Sequence, residues 1–278
     1  MYYGKVVGFV KHILALTAKR AEVPVKQTEK VIELLDAGNT VPFIARYRKE
    51  ATGSLDEVQI KNIEDAYQYI TGLEQRKEEV LRIIEEQGKL DDDLKKKIIA
   101  ATVLQRVEDL YRPFMQKRRT RATIAKEKDL EALATALLKF PTASLEELAT
   151  PFVNEEKEVL SVEEALAGAR DIIAENIADD AALRETVRKA TWSSGKITSA
   201  LRKNAEDEKN VFENYYEYEE PLKKIVPHRT LALNRGEKEK VLRIGIAFPE
   251  EQIIGNMERT LIQKTHVPAA EEIKEAIT

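Results

Sequence analysis

Arg118, Arg119 and Arg121 stand within four residues of one another, directly after Lys117. Guanidinium forks pair with phosphate oxygens in a planar, bidentate geometry, and a lysine adds a point charge beside them. The chemistry this favours is capture of a polyanion rather than bond making. The wider stretch, Arg112 to Lys128, also carries Arg112, Lys126 and Lys128, with Glu127 its one acid. That is a local surplus of six positive charges in a chain of formal net charge −4, so the remainder carries −10. Such local concentration points to nucleic acid as a partner. The candidate phosphate contacts are Arg112, Lys117, Arg118, Arg119, Arg121 and Lys126, assisted by Arg46 and Arg48, with no base readout expected from them. The competing reading is internal pairing with acidic helices, at Glu78-Glu79, Glu85-Glu86 or Asp91–Asp93.

A second cluster lies in VPFIARYRKE. Phe43 and Tyr47 beside Arg46 and Arg48 have the composition of a surface that stacks bases and holds phosphates. Their spacing, with Ile44, instead places both aromatics on one apolar helix face, so they are expected in the core with the arginines flanking. His228 and Arg229 follow Pro227 and are expected to anchor that segment to the helical body. Tyr215, Tyr216 and Tyr218, near Phe212, are expected to pack internally.

No set of residues combines a nucleophile, a base and a stabilising donor, so catalysis is not expected. Phosphate loops and zinc-protease motifs are missing. His12, His228 and His266 lack metal-ligand spacing, and the chain has no cysteine. No metal or cofactor is expected. Asp91–Asp93, Glu155-Glu156 and Glu250-Glu251 read as helix-start acids that favour the dipole.

The elements that must carry these residues are mostly helical. The chain has 278 residues, 34% of them charged, with only 11 glycines and 9 prolines. That composition and length suit a helix-rich protein of one or two domains. Val6, Val7, Val10, Ile13, Leu14 and Leu16 give a first amphipathic helix with an inward apolar face, and no run is long enough for a membrane span. A cytoplasmic location is expected. Pro24 opens a second helix bearing Val31, Leu34 and Leu35. Ser54 to Glu57 reads as a capping box that starts a long helix with Ile63, Ile70, Leu73, Val80 and Ile84. Gly88 ends it, and Leu94, Ile98, Ala101, Leu104, Val107 and Leu110 continue its period backwards. An antiparallel helical hairpin from about Leu55 to Tyr111 is therefore expected. The basic run follows as an exposed connection, because seven cations cannot be buried unpaired. Ser161 to Glu164 caps a further helix. VLRIGIAF, Val241–Phe248, is the one strong strand, with a weak partner at Gly195–Leu201.

The fold class is thus mostly α, a multi-helix assembly with a minor β element near residues 195–248. The segments expected are N-terminal helices (1–53), the hairpin (54–111), the basic loop with further helices (112–220), and a mixed segment (221–278) whose end looks interrupted.

Four blocks also resemble the Tex family of bacterial transcription accessory proteins. They are GNTVPFIARYRKEATGSLDEVQI (38–60), KRRTRATIAKEKDLEALA (117–134), GARDIIAE (168–175) and HRTLALNRGE (228–237). They occur in the family's order with similar spacing. The resemblance implies the family's helical N-terminal region. A resolvase-type nuclease fold, helix-hairpin-helix elements and an S1 RNA-binding domain would lie beyond it. It implies RNA or DNA as partner, with the transcription machinery and the later domains as further partners. Met115-Gln116 stands where the family has Lys-Pro, and Asp129 where a glycine is common, so local turn chemistry is expected to change. The alternative function is a scaffold that packs against the later domains or the transcription machinery.

Overall fold

The computed structural model describes residues 2–207 and 210–278, with side chains from residue 9 onward. The chain divides into two compact units, residues 1–114 and 115–278. Segments 1–53 and 54–111 lie in the first unit and 221–278 in the second, while 112–220 crosses the division.

The first unit is all helical: α1 (Tyr2–Ala21), α2 (Val25–Asp36), α3 (Val41–Tyr47), α4 (Lys49–Thr52), α5 (Glu57–Glu86), α6 (Asp92–Ala100) and α7 (Leu104–Tyr111). Helix α5 is its axis, and α1, α2 and α3 pack along it. Val23, Val31, Val41, Ile44, Leu55, Ile60 and Ile63 form one buried cluster. Along α5, Ile70, Leu73, Val80 and Ile84 are buried as their spacing predicts. Ile13 is buried on α1, but Val10 is exposed, and Val6 and Val7 fall outside the described side chains.

The cap of α5 sits two residues later than expected. Asp56 is the N-cap and accepts from the Gln59 amide, while the Gln59 side chain accepts from the Asp56 amide. An ionised carboxylate at this place also meets the positive end of the helix dipole, and Ser54 instead takes a left-handed backbone at φ 64°.

The hairpin is formed by α5 and α6, and Gly88, with φ 68°, makes its turn. The returning arm then stops at Ala100. Ala101 and Val103 are extended, and α7 runs along α5 in the same direction as α5 itself. The contacts show the reversal. Lys77 Nζ donates to the Ile99 carbonyl, the Leu104 amide donates to the Tyr69 hydroxyl, Arg76 pairs with Glu108 at 2.6 Å, and Gln87 Nε2 donates to the Phe114 carbonyl. The β-branched pair Thr102-Val103 is a weak helix former and marks the break. Leu104 is consequently exposed, not part of the continuing apolar face.

The second unit contains α8 (Arg121–Glu127), α9 (Glu131–Leu137), α10 (Leu145–Ala149), α11 (Val162–Asp179), α12 (Ala181–Ser194), β1 (Lys196–Leu201), β2 (Glu217–Pro221), α13 (Pro227–Lys238), β3 (Leu242–Ala247), α14 (Glu250–Leu261) and α15 (Ala269–Ile277). Leu130, Leu133, Leu137, Ala165, Ala169, Ile172, Ile173, Ala269 and Ile273 build the main core around α11. Ser161 caps α11 by accepting from the Glu164 amide, and Asp180 caps α12. The Glu164 carboxylate takes the Leu160 amide rather than that of Ser161, so the reciprocal half of the expected box is displaced by one residue.

The sheet is antiparallel with order β2-β1-β3. Strands β1 and β3 occupy the expected segments. Strand β2, EYEEP, is additional and has three acids in five residues, so apolar alternation could not reveal it. Phe212, Leu233, Val241 and Leu242 form the small core beneath, with Tyr215, Tyr216 and Tyr218 packed against it. The tyrosine cluster is thus internal packing, as expected. The fold is mostly α with a minor antiparallel sheet.

Candidate nucleic-acid interface

The basic run is only partly a loop. Arg112 sits in a 3-10 turn at the end of the first unit, half-buried and not free of partners. Residues 115–120 are irregular, and the run then enters α8. Thr120 opens this helix, accepting from the Thr123 amide at 3.1 Å and donating to Glu175 at 3.0 Å. Ala122 and Ala125 face inward onto α11, a small-residue face that lets the two helices approach closely. A helix was not expected here. Its apolar face is only alanines, which carry little hydropathy signal.

Helix α11 meets the run with a ladder of acids. Asp171, Glu175 and Asp179 are spaced four apart and therefore share a face. Lys117 bonds Asp179 and lies 3.4 Å from Glu175. Lys126 lies 3.5 Å from Glu175. Arg121 reaches Asp171 at 3.3 Å, yet its side chain is 86% exposed. Arg119 pairs with Glu127 at 2.7 Å in solvent, and Lys128 donates to the Glu158 carbonyl. Arg118 is exposed and has no partner among the described residues. Within the second unit the run's acidic partners are Asp171, Glu175 and Asp179 of α11 and Glu127 of α8. Glu79 pairs with Arg76, Glu86 with Arg82, and Asp93 with Lys97. The four-residue spacing of the α11 acids was the signal that could have found them.

The run therefore divides by depth. Lys117 and Lys126 hold it to α11, while Arg118, Arg119 and Arg121 face solvent. Exposed pairs such as Arg119–Glu127 contribute only about 0–1 kcal/mol and exchange readily for another anion. Beside Arg121, a cleft of about 730 Å³ is lined by Arg170, Arg184 and Arg188 over Ala174, Ile177 and Met257, with Asp171 and Glu275 also at its wall. Arg170 is tied to Glu272 and Glu275 of α15.

At Glu175, burial works to raise the carboxyl pKa. The Thr120 hydroxyl bond and the Lys117 and Lys126 charges outweigh it and hold the group below the ordinary glutamate range. A carboxylate held low in the folded state stabilises at pH above its unfolded pKa, and that stability is lost as pH falls through the folded value. The melting temperature of wild type should therefore exceed that of Glu175→Gln near neutrality and converge with it as pH drops through the carboxylate range. Parallel melting curves across that range would show that the network contributes no such term.

Asp129 occupies the position where a glycine was expected and takes φ 64°. The left-handed turn survives because aspartate tolerates this region better than most residues. Its carboxylate also pairs with Lys157 at 2.9 Å.

In the first unit, Phe43 and Tyr47 are not core. Val41 and Ile44 supply the buried face of α3, whereas Phe43 is 37% and Tyr47 65% exposed. Phe43 and Tyr47 are one helical turn apart on a different face. Their ring centroids lie 5.1 Å apart at 46°. The Arg48 guanidinium sits 5.3 Å from the Phe43 centroid and donates to the Tyr47 carbonyl. Arg46 is exposed beside them. These residues belong to the first unit, with Arg112, whereas Lys117 to Lys128 belong to the second. In the second unit, Arg229 pairs with Glu220 at 2.5 Å and so anchors α13 to β2, while His228 is exposed.

Two profile comparisons bear on these arrangements. Residues 11–85 match the Tex-like protein N-terminal domain, and residues 141–276 match the Tex central region-like family. The chain belongs to the Tex family. It is 52% identical over 262 residues to uncharacterized protein YdcI of Bacillus subtilis (strain 168), covering 94% of this chain and 36% of that protein. Against transcriptional accessory protein Tex of Neisseria gonorrhoeae, identity is 42% over 237 residues, covering 85% of this chain and 31% of the relative. S1 RNA-binding domain-containing protein 1 of Pongo abelii is 27% identical over 242 residues, covering 84% and 24%. This chain spans about a third of the length of its bacterial Tex relatives. Two of the blocks that carried the resemblance meet in space: KRRTRATIAKEK supplies α8 and its cations, and GARDIIAE supplies Asp171 and Glu175 of α11, which pair with them. No helix among the described residues is long and apolar enough to cross a membrane.

Proposed function

We propose that this Tex chain contributes a phosphate-backbone contact to a transcription accessory protein, using Arg118, Arg119 and Arg121 without base readout. The observation that carries the reading is the division of the basic run. Lys117 and Lys126 are spent on Glu175 and Asp179, and the three arginines are presented to solvent on the element so anchored. A run paired only for stability would have no reason to leave its three fork-shaped cations outermost. Arg112, Arg46 and Arg48 belong to the first unit and add a separate cationic contribution. RNA or DNA is the partner, in the cytoplasm, and the role is binding without turnover. The relatives named for Tex and for an S1 RNA-binding domain support this direction.

Fluorescence anisotropy with labelled single- and double-stranded RNA and DNA, over a salt series, tests it. Each phosphate contact adds about 0.9 to the log–log salt slope on duplex DNA and about 0.7 on single strands. Binding that weakens steeply with salt is expected. Affinity independent of salt, or no binding at low salt, overturns the reading and leaves a scaffold for later domains as the better one.

A further inference from the structure

We infer that α3 carries a second, separate contact, a stacking platform for the unpaired bases of a single strand, built by Tyr47 and Phe43 with Arg48 over the Phe43 ring and Arg46 beside it. The inference rests on the nucleic-acid reading above but concerns a different surface in the first unit.

Helix α3 is short, and its packing needs are met by Val41 and Ile44. Phe43 and Tyr47 contribute little to that core and still stand outward. Their rings are tilted against each other rather than face to face, so they do not consume each other's faces. The Arg48 guanidinium lies over one face of the Phe43 ring, 5.3 Å from its centroid, which fixes a cation within the platform and leaves Tyr47 as the more open stacking ring. Tyr47 is the more exposed ring.

The charges around the rings support the same occupant. Arg46, Arg48 and Lys49 are exposed, with Glu50 the neighbouring acid. Among the described residues none of these three cations pairs with a carboxylate, although exposed lysines elsewhere in the unit do, as in Lys30–Glu33 and Lys61–Glu64. Cations without a carboxylate partner, beside the exposed Tyr47 ring, complement a strand that offers phosphates and base faces together. A duplex hides its base faces within the stack, so the platform selects unpaired strands. Its position is fixed from below. Gln27 Nε2 donates to the carbonyls of Thr52 and Gly53, pinning the segment after α3 against α2.

The test compares the full chain with its Tyr47→Ala, Phe43→Ala and Tyr47→Phe variants, each checked by circular dichroism. The probes are a labelled oligouridylate and an abasic strand of the same length and charge. Tyr47→Ala is expected to weaken oligouridylate binding by about 5- to 150-fold. Abasic binding and the salt slope stay unchanged, and Tyr47→Phe keeps the wild-type affinity. If Tyr47→Ala and Phe43→Ala bind oligouridylate like wild type while loss of Arg118, Arg119 and Arg121 abolishes binding, the platform is overturned and the phosphate reading stands. Equal losses on oligouridylate and abasic strand also overturn it, because the rings would then not act through bases. Wild type that binds neither strand at low salt overturns both readings.

Discussion

Alanine at Arg118, Arg119 and Arg121 together is expected to abolish most of the salt-dependent affinity for nucleic acid while leaving the melting temperature nearly unchanged. Three lost phosphate contacts should lower the log–log salt slope by about 2–3. Stability should hold because these side chains are exposed, and exposed ion pairs such as Arg119–Glu127 and Arg121–Asp171 contribute about 0–1 kcal/mol each. Lys117→Ala should behave in the opposite way. It removes a partner from Glu175 and Asp179, both largely buried. The cost lies between that of an exposed pair and a buried one, about 1–3 kcal/mol, and shows as a lower melting temperature. Anisotropy titrations beside thermal melts separate the two. A triple variant that melts much earlier, or a Lys117→Ala variant that loses salt slope while keeping stability, would mean that the cations do not divide by depth as described.

Gly168→Val is expected to destabilise the second unit strongly. Gly168 lies within α11, and a Cβ built there would meet Leu130 Cδ1 at 2.3 Å and Ala125 Cβ at 3.3 Å. Leu130 is itself fully enclosed, so it has no free space to swing into. Two effects compete. Replacing a mid-helix glycine gains about 1 kcal/mol for alanine and less for valine, whereas overpacking costs about 1–3 kcal/mol. For Gly168→Ala these nearly offset. For Gly168→Val the added methyls and the weaker propensity make the cost dominate, by at least about 2 kcal/mol. At about 2–4 °C per kcal/mol for a domain of this size, a drop of several degrees should be visible by calorimetry. Gly72 on α5 is the control, since nothing lies within 4 Å of its built Cβ. Gly72→Ala should stabilise the first unit by up to about 1 kcal/mol. A Gly168→Val protein that melts like wild type would show that α8 and α11 can separate without cost.

Gly168 also explains why the α8–α11 contact matters for the interface. The glycine lets α8 sit close, closeness brings Lys117 and Lys126 within reach of Glu175, and that grip sets the arginines outward. Pairing of the two blocks converts a stretch of like charges into one with an inner and an outer side.

Much of this was legible in the chain itself. Regular apolar spacing announced α5 with Ile63, Ile70, Leu73, Val80 and Ile84, and the capping signal at Ser161 placed the start of α11. Periodicity works because burial on a helix repeats every 3.6 residues wherever the partner surface lies. The strands β1 and β3 were visible for the parallel reason, a short β-branched or aliphatic run. Concentration of cations between 112 and 128 also follows from residue types alone.

Tertiary structure decided what spacing cannot encode. Leu104, Val107 and Leu110 keep the period of the preceding helix, but period carries no direction, and only contacts with Tyr69 and Arg76 show that α7 reverses. Phe43 and Tyr47 look apolar by type, yet which face of α3 meets α5 depends on where Val41 and Ile44 find their partners. Strand β2 exists because β1 offers it an edge to pair with, not because its acids favour a strand. Whether a cation is an anchor or a contact was likewise undetermined by its type. Lys117 and Arg118 are neighbours in sequence, and the acids of α11, more than fifty residues later, decide which of them is spent inside and which stays exposed to solvent.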